Sequence, residues 1–97
     1  MNRSPGKKKP SLVLRLYVAG NAPNSVRAIS NAQAVCDEHF AARYELEIVD
    51  LLDHPHRALS DGVIVTPTLI RLSPLPVQKV IGTLSDTNRL LLVLAGQ

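Results

Sequence analysis

Apolar residues recur along this chain in two rhythms, one unbroken or alternating and one of three to four residues. The segment Leu12–Ala19, LVLRLYVA, is nearly all apolar with β-branched and aromatic members, which predicts a buried strand with Arg15 as its one charge. Gly20–Ser25, GNAPNS, breaks the run with cap residues and predicts a helix start capped by Asn21 or Asn24. From Val26 to Phe40 the pattern is helical: Val26, Ile29, Ala32, Cys36 and Phe40 recur at spacings of three and four and form one apolar stripe. Tyr44–Asp50 alternates, with Leu46 and Ile48 on one face and Glu45 and Glu47 on the other, and predicts a second strand. Strand, helix and strand in that order imply parallel pairing.

The second half is punctuated by proline and glycine. Pro55 sits where a short helix would begin, Arg57 to Gly62 would fill it, and Gly62 would stop it. Val63–Ile70 predicts a strand interrupted by Pro67, Ser73–Pro76 a turn, and Val77–Ile81 a last strand. Ser85 or Asp86 would cap a final helix from Thr87 to about Ala95, buried through Leu90, Leu91 and Leu94.

Composition narrows the classes. The 97 residues imply one small domain, residues 11–97, preceded by a flexible tail at residues 1–10. Only 3% of residues are aromatic, so the core must be built from Leu, Val, Ile and Ala. The net charge of +3 comes from that tail: Arg3, Lys7, Lys8 and Lys9 are four of the eleven basic residues, leaving seven against eight acidic ones. The remaining chain is close to neutral, and no aromatic stands beside a basic cluster, so a nucleic-acid surface is not expected. No apolar run approaches the ~18 residues that span a bilayer. The N-terminus has no apolar stretch after its charges, so neither membrane nor export is expected, and the cytoplasm follows by default.

Chemistry finds little purchase. A single cysteine, Cys36, excludes an internal disulfide. Dithiol exchange needs a thiolate at the start of the first helix, yet that turn reads Asn21-Ala-Pro-Asn24, and Cys36 lies on the apolar stripe as a structural thiol. Asp50, Asp53, His54 and His56 lie close in sequence, but Pro55 stiffens the segment and no cysteine assists, so an exposed turn is the expectation, not a metal site. Neither a nucleophile elbow nor a glycine-rich phosphate loop is present. No catalytic residue and no cofactor is proposed. The turn Gly20–Arg27 stands as either a well-capped helix start or a binding edge.

The element order β-α-β-α-β-β-α, with Thr66-Pro67-Thr68 before the third strand, resembles the α/β thioredoxin-like fold, in which that proline is usually cis. A more specific resemblance lies in three blocks: Leu16–Ala28 (LYVAGNAPNSVRA), Val63–Leu69 (VIVTPTL) and Leu75–Ser85 (LPVQKVIGTLS). In this order and spacing they resemble the KaiB family of clock proteins, and the likeness runs from about Leu12 to Leu94. A related domain forms the sensory N-terminus of SasA-type histidine kinases, and a single-domain chain is closer to the KaiB group itself.

That resemblance implies a non-enzymatic regulator that binds a hexameric KaiC-like ATPase and alters its phosphorylation cycle. A SasA-like kinase would compete for the same site. It also implies either a thioredoxin-like monomer or a homo-oligomer, a dimer or a tetrameric ground state in which the second half is rebuilt. Partner contacts carry over to Asn21, Pro23, Asn24, Ser25 and Arg27 on the first turn, and to His56 and Asp61 around the second helix. Thr66, Pro67 and Thr68 carry over as a structural cis-proline turn. Two departures stand out. The second-helix segment HRALSDG is much less acidic than the family's usual run. The last apolar segment lacks the relatives' Gly and Asp, and losing an interior Gly favours helix by roughly 0.5–1 kcal/mol. The expectation is therefore a helical end and a thioredoxin-like resting state. The alternatives are a diverged thioredoxin-like adaptor in a kinase or stress pathway and a monothiol redox protein using Cys36.

Overall fold

The computed structural model describes residues 10–41 and 43–95. Most of the expected basic tail and the last two residues of the expected domain lie outside the described residues. The elements follow in the order β1 (Leu12–Val18), α1 (Pro23–Phe40), β2 (Tyr44–Asp50), α2 (Pro55–Ser60), β3 (Thr68–Ser73), β4 (Gln78–Ile81) and α3 (Thr87–Leu94). One four-stranded sheet has the order β2-β1-β3-β4. β1 and β2 are parallel, with Arg15 opposite Glu47 and Val18 opposite Asp50. β1–β3 and β3–β4 are antiparallel.

The sheet is sandwiched. On one face Leu12, Leu14, Leu16 and Val18 of β1, Leu69 of β3 and Val80 of β4 pack against Ala28, Ala32, Val35 and Cys36 of α1 and Leu90 and Leu94 of α3. On the other face Tyr17, Val49 and Ile70 meet Ala58 of α2. Both faces of β1 are covered, which is why its sequence reads as a nearly continuous apolar run.

Four local expectations are corrected. The buried stripe of α1 is Ser25, Ala28, Ala32, Val35 and Cys36, while Val26 is half-exposed; small residues let the helix lie close on the sheet. Neither Asn21 nor Asn24 caps α1. Pro23 takes the first helical position, so Ala22 falls at the cap without a side-chain hydrogen bond. β3 begins only at Thr68, after the cis Thr66–Pro67 bond, and runs on to Ser73; Val63, Ile64 and Val65 are irregular, and Ile64 is almost fully exposed. On β2 the buried side chain is Val49, on the glutamate face, because α2 covers that side.

α3 begins where Asp86 accepts a hydrogen bond from the Arg89 N–H at 3.1 Å, one of the two caps expected. Its apolar face buries Leu90 and Leu94, with Leu91 partly buried.

Candidate functional site

Parallel pairing brings the ends of β1 and β2 together, and β3 starts at the same end, with Thr68 opposite Tyr17. Three connections therefore gather at one edge of the molecule: the turn after β1, the loop after β2, and Thr66-Pro67-Thr68. Loops at strand C-termini of α/β sheets are where such folds meet ligands.

Asp50 organises the first two. Its Oδ1 accepts the Gly20 N–H at 3.1 Å and the Leu52 N–H at 3.0 Å. Gly20 holds φ at +54°, and a Cβ there would come within 3.3 Å of the Leu52 side chain. Ser25 Oγ accepts the Ala19 N–H at 3.1 Å, closing the turn from inside the helix. At the third connection Thr68 Oγ1 donates to the Val65 carbonyl at 2.6 Å, and the Pro67 carbonyl accepts the Gly82 N–H at 3.0 Å. The structure thus gives Thr66, Pro67 and Thr68 a cis turn with a buried proline and threonine.

The partner residues expected from the sequence divide. Asn21, Pro23, Asn24 and Arg27 are exposed around the β1–α1 turn, together with Val26 and Leu52. Ser25 is 1% exposed and turned inward. His56 is exposed on α2, on the opposite side of the sheet from α1, while Asp61 just after α2 points back toward the sheet.

What sequence reading missed is the polar group around Asp61. Arg15 of β1 donates from Nε to Glu47 Oε1 at 3.0 Å and from Nη1 to Asp61 Oδ2 at 2.9 Å. Arg57 of α2 holds both oxygens of Glu47, each at 2.7 Å. The Tyr17 hydroxyl lies 2.5 Å from Asp61 Oδ2 and 2.9 Å from the Arg57 carbonyl, and its single proton is directed to these two acceptors. Arg15, Tyr17, Arg57 and Asp61, with His56 and Ser60, line a shallow cavity of about 230 Å³. Hydrogen bonds from Arg57, then from Arg15, hold the Glu47 carboxyl down at about 2. Burial pushes the Asp61 carboxyl up, but the hydrogen bonds from Tyr17 and Arg15 outweigh it and keep it below its ordinary value. Burial, reinforced by Asp61, raises the Tyr17 phenol. The one advance signal is the pairing of strands: Arg15 is the one charge of β1, Glu47 is one of three acidic residues of β2, and parallel register sets the two side by side.

Cys36 is fully buried, and that burial pushes its thiol up to about 11, the opposite of what a reactive thiolate needs. Among the described residues no three His, Cys, Asp or Glu side chains gather to hold an ion, and Asp50 is committed to backbone.

Residues 15–95 match the family model described as the KaiB domain. Over 86 residues the chain is 46% identical to the circadian clock oscillator protein KaiB of Nostoc punctiforme, covering 89% of this chain and 83% of that protein. It is 45% identical over 89 residues to the circadian clock oscillator protein KaiB1 of Synechocystis sp., covering 92% and 83%. Among solved structures the N-terminal domain of Synechococcus elongatus SasA superposes with a TM-score of 0.74 at 25% identity, covering 100% of this chain and 95% of that one. Mitochondrial thioredoxin 3 of Saccharomyces cerevisiae gives 0.73 at 13% identity over 93% and 82%, a likeness of fold alone.

Proposed function

Because this chain belongs to the KaiB family of circadian clock proteins, we propose that it works by docking, without catalysis, on a hexameric KaiC-type ATPase, and that it modulates the phosphorylation and ATPase cycle of that partner in the cytoplasm. The observation that carries this reading is the β1–α1 turn. Asn21, Pro23, Asn24 and Arg27 stand exposed on a backbone fixed from beneath by Asp50 and Ser25. A rigid loop with exposed polar groups loses little freedom on binding, which suits recognition. The place a thioredoxin-like enzyme would use for its attacking thiol is occupied here by Asn21 to Asn24. Among the described residues no helix is long and apolar enough to cross a membrane.

The SasA N-terminal domain shares the fold over nearly its whole length, which supports a SasA-like kinase as a competitor for the same partner surface. The capped α3, with Leu90 and Leu94 buried, supports the thioredoxin-like arrangement as the resting state of this chain.

The test is size-exclusion chromatography with light scattering, on the chain alone and with a KaiC-type ATPase from the same organism. Co-elution that depends on the nucleotide state of the ATPase is expected, with a monomeric peak for the free chain. Failure to co-elute in every nucleotide state would overturn the clock-partner reading and leave an adaptor for a different kinase pathway. A tetrameric free peak would overturn the resting-state assignment.

A further inference from the structure

α2 is six residues long and buries one apolar side chain, Ala58; Leu59 beside it is three-quarters exposed. Leu51 and Val63 on its flanks and Leu72 of β3, all partly buried, complete the apolar cluster beneath it. A helix this short does not hold itself together, and Ala58 is the smallest of apolar anchors. What joins α2 to the sheet is the polar group described above. Glu47 grips Arg57 at two points, Arg15 reaches Asp61, and the Tyr17 hydroxyl meets Asp61 and the Arg57 carbonyl. Lys79 of β4 adds a bond to the Asp61 carbonyl at 2.8 Å.

We propose that Glu47 and Arg15 are positioning residues that clamp α2 on the sheet, so that residues 55–62 are released as a unit when the clamp is broken while the core between the sheet and α1 and α3 stays closed. The two groups of apolar contacts lie on opposite faces of the sheet, so loss on the α2 side leaves the larger core untouched. The clamp also consumes the charges of Arg57 and Asp61. α2 therefore presents His56, Leu59 and Ser60 outward. Resting on the reading that α2 contributes to partner docking, the clamp pre-organises that surface, and a loosened α2 binds only in the fraction of molecules that hold it in place.

Hydrogen–deuterium exchange on the full chain tests the clamp without any partner. In Glu47→Gln, protection of amides in 55–63 should fall about fivefold, the upper range of surface ion-pair strengths, while amides of β1 and α1 keep theirs. Raising salt on the wild-type chain should loosen the same segment selectively. The double variant Glu47→Gln/Arg57→Gln should lose little more than either single variant, since the pair acts as one unit. Uniform loss across the domain, or unchanged exchange at 55–63, would overturn the proposal. Where the wild-type chain co-elutes with a KaiC-type ATPase, Glu47→Gln should weaken binding in proportion to the lost protection. Undiminished binding with a loosened α2 would overturn the pre-organising role. If the wild-type chain does not bind at all, the docking reading fails, and the exchange experiment still decides the clamp.

Discussion

The buried guanidinium of Arg71 on β3 donates to the backbone carbonyl of Val93 near the end of α3, and its second terminal nitrogen donates to the Pro76 carbonyl at 2.7 Å. Val93 carries one of the last carbonyls of the helix, which have no partner within it. A cation at that end also meets the negative pole of the helix. Arg71 thus fastens both the β3–β4 turn and the final helix to the middle of the sheet, although it is 1% exposed and hydrogen-bonded to no carboxylate among the described residues.

Replacing Arg71 should therefore cost stability through two separable effects. Arg71→Ala should lower the unfolding free energy by about 3 kcal/mol, from the loss of charge-assisted hydrogen bonds to two carbonyls and of the buried stem. Arg71→Met keeps the apolar stem and should cost about half as much, roughly 1–2 kcal/mol for the unsatisfied carbonyls. Urea unfolding of the two variants beside the wild type checks the order. Equal losses would mean that the stem contributes nothing.

The Glu47 carboxyl, held at about 2 against an ordinary 4.5, makes the clamp on α2 pH-dependent. Arg15 and Arg57 bond it directly, and Asp61 and Tyr17 stand next to it across Arg15. Its contribution is fully present above pH 4.5 and is lost as the pH falls toward 2, because the folded state then has to take up the proton the unfolded chain already carries. Wild type and Glu47→Gln should differ most at neutral pH and converge in that acid window, measured as urea midpoints or as exchange at 55–63.

Ser25 and Asn24 are neighbours in sequence with opposite duties. Ser25→Ala removes the acceptor for the Ala19 N–H and should cost about 1 kcal/mol. Asn24→Ala, on the exposed side, should change stability by less than about 0.5 kcal/mol. The two should reverse in a binding assay with a KaiC-type ATPase, where Asn24→Ala is the more damaging.

Cys36 should be silent in the folded chain. With its thiol near 11 and its side chain buried, an aromatic disulfide reagent at neutral pH should react only after denaturant is added. Any disulfide-reductase activity of a preparation should survive Cys36→Ser. Loss of such activity in that variant would restore the redox reading.

Much of the architecture was legible from local pattern. The run at Leu12–Val18, the alternation of Tyr44–Asp50 and the Asp86 cap each depend on residues a few positions apart, and periodicity reports that range well. The apolar pattern misplaces the rotation of α1 because a stripe of larger side chains at Val26, Ile29 and Phe40 competes with Ser25, Ala28, Ala32 and Val35. Close approach to the sheet selects the smaller set. The pattern places the start of β3 too early because Val63–Val65 has strand composition but no strand to pair with before the chain turns at Pro67.

The sequence by itself determined the element order, the polar turn after β1 and the family to which the chain belongs; the exposure of Asn21, Asn24 and Arg27 came from the structure. Tertiary structure alone decided what holds α2. Arg15, Glu47, Arg57 and Asp61 come from two strands and the α2 segment, and Arg15 and Glu47 stand 32 residues apart. Their meeting depends on the register of β1 against β2 and on which face α2 covers. Those are properties of pairing across the sheet, and spacing along a chain carries no record of them.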